Sequence, residues 1–105
     1  MIVKSTNSKK RNFKGVTFEV LAVGKSSMVT KMIYENGDKV PVHSHPNEQS
    51  GYVISGEHII RFKGFNEVLK PGDSYSIPEN TDHSWEVIQR GEVIDVFTPP
   101  RPDYF

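Results

Sequence analysis

Three of the four histidines in this 105-residue chain stand where they could serve one site. Two of them lie in Gly37-Asp38-Lys39-Val40-Pro41-Val42-His43-Ser44-His45-Pro46-Asn47-Glu48-Gln49. In an extended strand, alternation puts His43 and His45 on one face, one pleat repeat apart, so that both imidazoles can converge on a single ion. Glu48 or Gln49, just downstream, offers an oxygen ligand. A His-x-His pair on its own is more often two exposed turn residues than a metal site, so a third imidazole is required. His83, which follows the turn Pro78-Glu79-Asn80, supplies it from a separate strand. Three nitrogens and an oxygen suit Zn, Ni, Fe, Mn or Cu rather than Ca or Mg. The chain has no cysteine, which excludes thiolate metal sites, disulfides and a cysteine nucleophile.

The elements that position these residues are strands. Nowhere do apolar residues recur at i, i+3, i+4 and i+7 for the three turns that a helix requires. Short runs rich in Val, Ile, Phe and Tyr occur instead at Phe18 to Val23, Met28 to Tyr34, Lys39 to His43, Ser50 to Ile54, His58 to Phe62, Glu67 to Leu69, Ser74 to Ile77, His83 to Ile88 and Val93 to Thr98. Between them lie turn sequences such as Glu35-Asn36-Gly37-Asp38, Lys63-Gly64 and Pro71-Gly72-Asp73, at the spacing of an all-β sandwich or barrel. The prolines of Thr98-Pro99-Pro100-Arg101-Pro102 lack donors, so the end of the chain runs as an extended tail.

Period two then assigns neighbours. Trp85 and Val87 share a face with His83, which puts the only Trp beside the site. Tyr52 with Ile54, and His58 with Ile60 and Phe62, are interior candidates, His58 as a packed histidine rather than a further ligand. Asp95 shares a face with Val93 and Phe97, where an unpaired carboxylate has a raised pKa. The opposite face, Ile94 and Val96, is apolar and suits a subunit interface.

Composition bounds the rest. Lys+Arg and Asp+Glu both number 13, so the net charge of zero removes the attraction that drives binding to nucleic-acid phosphates or anionic membranes. Hydrophobic residues at 35% and aromatics at 10% suffice for one core, which predicts one domain over 1–105. Residues 1–14 form its N-terminal strand or arm and 98–105 its tail, with Lys9, Lys10 and Arg11 expected as a solvated segment. The apolar pair Ile2-Val3 is too short for a signal peptide or a membrane span, and a cytoplasmic location follows as the default.

The spacing Gly37-x5-His43-x-His45-x3-Gln49-x6-Gly56 resembles the first cupin motif, G-x5-H-x-H-x3,4-E-x6-G, with Gln49 where most members have Glu. The second motif, G-x5-P-x-G-x2-H-x3-N, is matched by Gly72, Pro78 and His83, with Asn80 and Val87 at its remaining anchors. The resemblance covers Gly37 to Val87 and implies a single-domain cupin, a small antiparallel jelly-roll β-barrel. It also implies that His43, His45, Gln49 and His83 ligate a divalent transition metal, Ni, Zn, Fe or Mn. With three imidazoles and a neutral amide, the ion's charge is uncompensated, so the site favours an anionic ligand or a bound hydroxide.

The run Ile94-Asp95-Val96-Phe97-Thr98-Pro99-Pro100-Arg101-Pro102-Asp103-Tyr104-Phe105 looks like the end of the small KdgF-type cupins, which linearise unsaturated uronates. That likeness implies catalytic roles for Asp95, Phe97 and Arg101, while strand parity puts Trp85 and Tyr52 in the lining of the substrate pocket. The implied reaction is opening of a cyclic 4,5-unsaturated uronate, Asp95 moving the proton and Arg101 steadying the substrate carboxylate. Two alternatives follow from the same site: a cupin dioxygenase using three-His metal chemistry, and a non-catalytic cupin that binds a small metabolite. The expected partners are a small anionic substrate and a second copy of the chain, since small cupins commonly pair and Met1 to Thr6 could extend a neighbour's sheet.

Overall fold

A computed structural model describes residues 1–105. Its ten strands are β1 (Lys9–Phe13), β2 (Val16–Val23), β3 (Met28–Tyr34), β4 (Lys39–His43), β5 (Glu48–Val53), β6 (Glu57–Phe62), β7 (Phe65–Leu69), β8 (Ser74–Ile77), β9 (His83–Gln89) and β10 (Gly91–Thr98). Two single turns of 3-10 helix, Ser5–Asn7 and Pro102–Tyr104, are the only helical pieces. No helix is long and apolar enough to cross a membrane.

The strands form two antiparallel sheets, one of six in the order β1-β2-β3-β10-β5-β8 and one of four in the order β4-β9-β6-β7. From β3 onward the chain passes repeatedly between the sheets, the connectivity of a jelly roll. Alternation along each strand sends one set of side chains between the sheets. Phe18, Met28, Met32, Val93 and Phe97 come from the larger sheet, and Val40, Ile60, Leu69, Trp85 and Val87 from the smaller.

All nine expected strands are present, with small differences at their ends. The tenth, β1, is the run read as a solvated segment: its Lys and Arg side chains are polar, but its backbone pairs with β2 from Lys9↔Val20 to Phe13↔Val16. The hairpin between them turns on Lys14 and Gly15, both at positive φ (50° and 86°), the conformation that matches the twist of paired strands. Within the chain Met1 to Thr6 contains no strand, and the intrachain pairing of the N-terminal region is that of β1 with β2.

Candidate metal centre

His43 closes β4, where a register shift against β9 between Val40 and His43 lets two inward residues stand three positions apart. His45 lies beyond the strand's end rather than on it. The two rings therefore converge through a bulge and a turn, not through simple alternation. His83 opens β9 and pairs directly with His43 across the sheet. Ring centroids are 4.3 Å apart for His43 and His83, 4.9 Å for His45 and His83, and 5.8 Å for His43 and His45. One ligand nitrogen from each of the three rings lies within 4.8 Å of the others.

Each ring is tied by its other nitrogen to a backbone carbonyl. His43 Nδ1–H donates to Pro41 O at 2.9 Å, His45 Nδ1–H to Asn47 O at 2.9 Å and His83 Nδ1–H to Thr81 O at 2.8 Å. A carbonyl oxygen can only accept, so the neutral tautomer is fixed in all three cases, leaving every Nε2 lone pair free. Burial lowers the pKa of each ring, against these carbonyl bonds, and the Arg101 charge adds to the effect. His83 falls furthest, to about 4. The imidazoles are thus neutral and aimed, the state a metal ligand requires.

Gln49, on β5, brings Oε1 to 3.1 Å from His45 Nε2. With His45 protonated at Nδ1, two lone-pair atoms face one another, an arrangement that a cation bound to both would relieve. Two ligands each about 2.1 Å from one ion at a right angle stand about 3 Å apart, so the spacing fits a shared ion. The donor set of three freed imidazole nitrogens and this oxygen accordingly suits a transition metal.

Behind Gln49 lies Asp95, only 1% exposed at the centre of β10. It pairs with Gly51 across β5, and Gly51 in turn pairs with Tyr75 on β8. A Cβ at Gly51 would fall 2.6 Å from Asp95 Oδ1 and inside the Tyr75 ring, so glycine here is what lets the Tyr75 hydroxyl reach across and donate to Asp95 Oδ1. Burial raises the Asp95 carboxyl to about 6, opposed by hydrogen bonds from Tyr75 and Gln49 and by the Arg101 charge.

Arg101 is 4% exposed although it lies in the tail. Its guanidinium grips Asp103 through Nε (3.3 Å) and Nη2 (2.7 Å), donates from Nη1 to Tyr104 Oη (3.0 Å) and lies over the Tyr104 ring at 4.0 Å. Asn47 Nδ2 holds the tail down by donating to Pro99 O at 2.6 Å. His43, Gln49, His83, Trp85, Asp95, Phe97 and Arg101 line one cavity of about 30 Å³.

The remaining expectations divide. Trp85 lines this cavity, stacks on Tyr34 and donates from Nε1 to His58 Nδ1 at 3.3 Å. Phe97 packs edge-on against His45 with centroids 5.6 Å apart, a contact that orients the ring. Tyr52 is not in the pocket: it is 51% exposed on the outer face of β5, because Gln49, Gly51 and Val53 take the inward parity. Ile54 is exposed for the same reason. Sequence reasoning missed Tyr75, Phe13, Tyr104 and Asn47. The signal for Tyr75 was its alternation with buried Ile77; the others act through the tail and β1, whose paths no local pattern reveals.

A two-sheet roll with three convergent imidazoles at one end defines a class, and residues 30–97 match the cupin domain family, to which the chain belongs. Among solved structures, an RmlC-like cupin from Shewanella frigidimarina is 28% identical with a TM-score of 0.89, over 97% of this chain and 93% of that one. KdgF from Halomonas sp. shares the fold at a TM-score of 0.88 and 24% identity, over 98% and 96% of the two chains. Acireductone dioxygenase of Bacillus licheniformis is 32% identical over 59 residues, covering 51% of this chain and 33% of that enzyme. The chain thus spans about a third of the length of that curated relative.

Proposed function

We propose that the chain is a metal-dependent enzyme that opens a cyclic 4,5-unsaturated uronate to a linear keto acid. The observation carrying this reading is that a buried carboxylate with a raised pKa, Asp95, and a guanidinium, Arg101, line the same cavity as the imidazoles of His43 and His83. The likeness of the Asp95 to Phe105 run to the uronate-linearising cupins supports it.

His43, His45, Gln49 and His83 would hold the ion. What a divalent cation supplies there is Lewis acidity toward negative charge developing on a substrate oxygen. Asp95 takes the proton of the anomeric hydroxyl as the ring C–O bond breaks, giving an aldehyde and an enolate. It then returns that proton to the alkene carbon, and the enolate becomes a ketone, so no atom is gained or lost. A carboxyl near 6 can do both at neutral pH. Asp103 and Tyr104 occupy three of the five guanidinium N–H groups, and the two left on Arg101 can grip the substrate carboxylate. A cavity of about 30 Å³ has room for little more than water, so a sugar ring enters only if Phe13, Tyr104 and the tail give way.

Proton NMR of the reaction tests the assignment. The vinylic signal of the unsaturated uronate should vanish as linear keto acid signals grow, with no oxygen consumed. The match to acireductone dioxygenase favours a second reading, an oxygenase built on the same ligands. Oxygen uptake by iron-loaded protein with an enediol substrate, and none of the uronate reaction, would select it.

A further inference from the structure

The Gln49 amide can be presented two ways round, and only one of them suits a cation. With the oxygen forward it offers a ligand; with the NH2 group forward it offers protons to a positive charge. A glutamate needs no such orientation, because both of its oxygens accept. A chain that carries Gln at this position therefore needs something behind the amide to set its sense.

Asp95 meets that requirement. Gln49 pairs with Phe97 and Gly51 with Asp95, so the amide and the carboxylate are diagonal neighbours on one face with only a glycine between them, and both line one cavity. Toward a carboxylate the amide can donate only from its NH2 group. The oxygen is thereby left on the far side, where it stands 3.1 Å from His45 Nε2. The carboxylate is itself held in place, with Oδ1 receiving the Tyr75 hydroxyl across Gly51 and Thr30 Oγ1 donating to the Asp95 backbone carbonyl at 3.3 Å. The row Thr30, Asp95, Gly51, Tyr75 runs straight across four strands, so the brace is set by sheet register and not by a loop.

We propose that Asp95, braced by Tyr75, is a positioning residue that turns the Gln49 oxygen toward the imidazole cluster. This rests on reading the cluster as a metal centre and is separate from the proton transfer assigned to Asp95 above. Outer partners of this kind are worth roughly 10- to 100-fold in metal affinity.

The test is Co2+ binding to chelator-stripped protein, followed by calorimetry and by the visible d–d spectrum, neither of which depends on turnover. Asp95→Asn should weaken Co2+ binding about 10-fold or more and alter the spectrum. In a Gln49→Ala background the same substitution should cost nothing further, because Asp95 acts through the amide. The exchange Gln49→Glu with Asp95→Asn puts the charge forward and the donor behind, and should restore the wild-type affinity or exceed it. A fold damaged at position 95 would not be rescued in this way. Should Asp95→Asn fail to fold, Tyr75→Phe carries the same cycle, with a loss of about 3-fold that disappears in Gln49→Ala. An unchanged affinity and spectrum in Asp95→Asn, or a penalty that persists in Gln49→Ala, overturns the proposal while leaving the metal centre standing. Absence of Co2+ binding by the wild-type protein overturns both.

Discussion

Each imidazole reaches the site with one nitrogen already committed to a carbonyl from its own segment, two residues before it for His43 and His83 and two residues after it for His45. The local backbone thus selects the tautomer before any ion arrives, and burial keeps the rings neutral at physiological pH. His83 is the most buried in effect, with a pKa near 4, and it touches both of its partners. His83→Ala should therefore lower Co2+ affinity by more than about 100-fold and remove turnover with it, as titration calorimetry and an activity assay on the same sample would show. Retention of stoichiometric Co2+ by that variant would take His83 out of the ligand set.

At the scale of elements, the row across β3, β10, β5 and β8 carries the polar half of the site, and its narrowest point is Gly51. Gly51→Ala would drive a methyl into the Tyr75 ring and toward Asp95 Oδ1. Overpacking of this kind costs about 1–3 kcal/mol, so urea unfolding should show a loss in that range, and the Tyr75 hydroxyl should be displaced from Asp95. Wild-type stability in Gly51→Ala would mean the row relaxes freely. The same row explains what could be read from the sequence and what could not. Nine strands and the inward parity of Trp85 and Asp95 follow from alternation, and the grouping of His43, His45 and His83 from motif spacing, although His43 and His45 converge through a bulge and a turn and not by parity. Strand β1 is legible only as a strand or arm within residues 1–14, without its bounds, because its only strongly apolar residue is Phe13 and it is held by backbone pairing to β2. Period two takes Tyr52 and Ile54 as the inward pair, yet the inward parity of β5 belongs to Gln49, Gly51 and Val53, and the place beside Tyr52 is held by a glycine. Its reason for being there, Tyr75 reaching over it, is long-range and leaves no local trace.

For the whole molecule, all four histidines are held below their usual pKa, chiefly by burial, including His58, which donates from Nε2 to Ser55 O and accepts the Trp85 N–H. A histidine with a lowered folded pKa leaves stability intact above 6.5 and withdraws it as pH falls below that value, since the unfolded chain then binds the proton more tightly. Asp95 works the other way, gaining stability as pH falls from about 6 toward 3.8, but it is one group against four. Chelator-treated protein should therefore have a lower urea midpoint at pH 5.5 than at pH 7.5; an equal or higher midpoint would contradict the burial of neutral imidazoles.

The expected homodimer belongs to this scale too. Val42, Tyr52, Ile54, Phe65, Val68 and Ile88 are large apolar side chains left exposed, and β1, β4, β7 and β8 are sheet edges. Light scattering on the eluting peak should give about 24 kDa, twice the 11.9 kDa chain, and a mass of one chain would contradict pairing.

The central claim is that the imidazole cluster, Gln49 and Asp95 together open an unsaturated uronate. Its most direct test mixes metal-replete protein with freshly generated 4,5-unsaturated galacturonate and follows the conjugated-alkene absorbance, beside a chelated control. Rapid loss that the chelator abolishes is the predicted result. No loss above the spontaneous rate, from protein shown to carry stoichiometric metal, would contradict it.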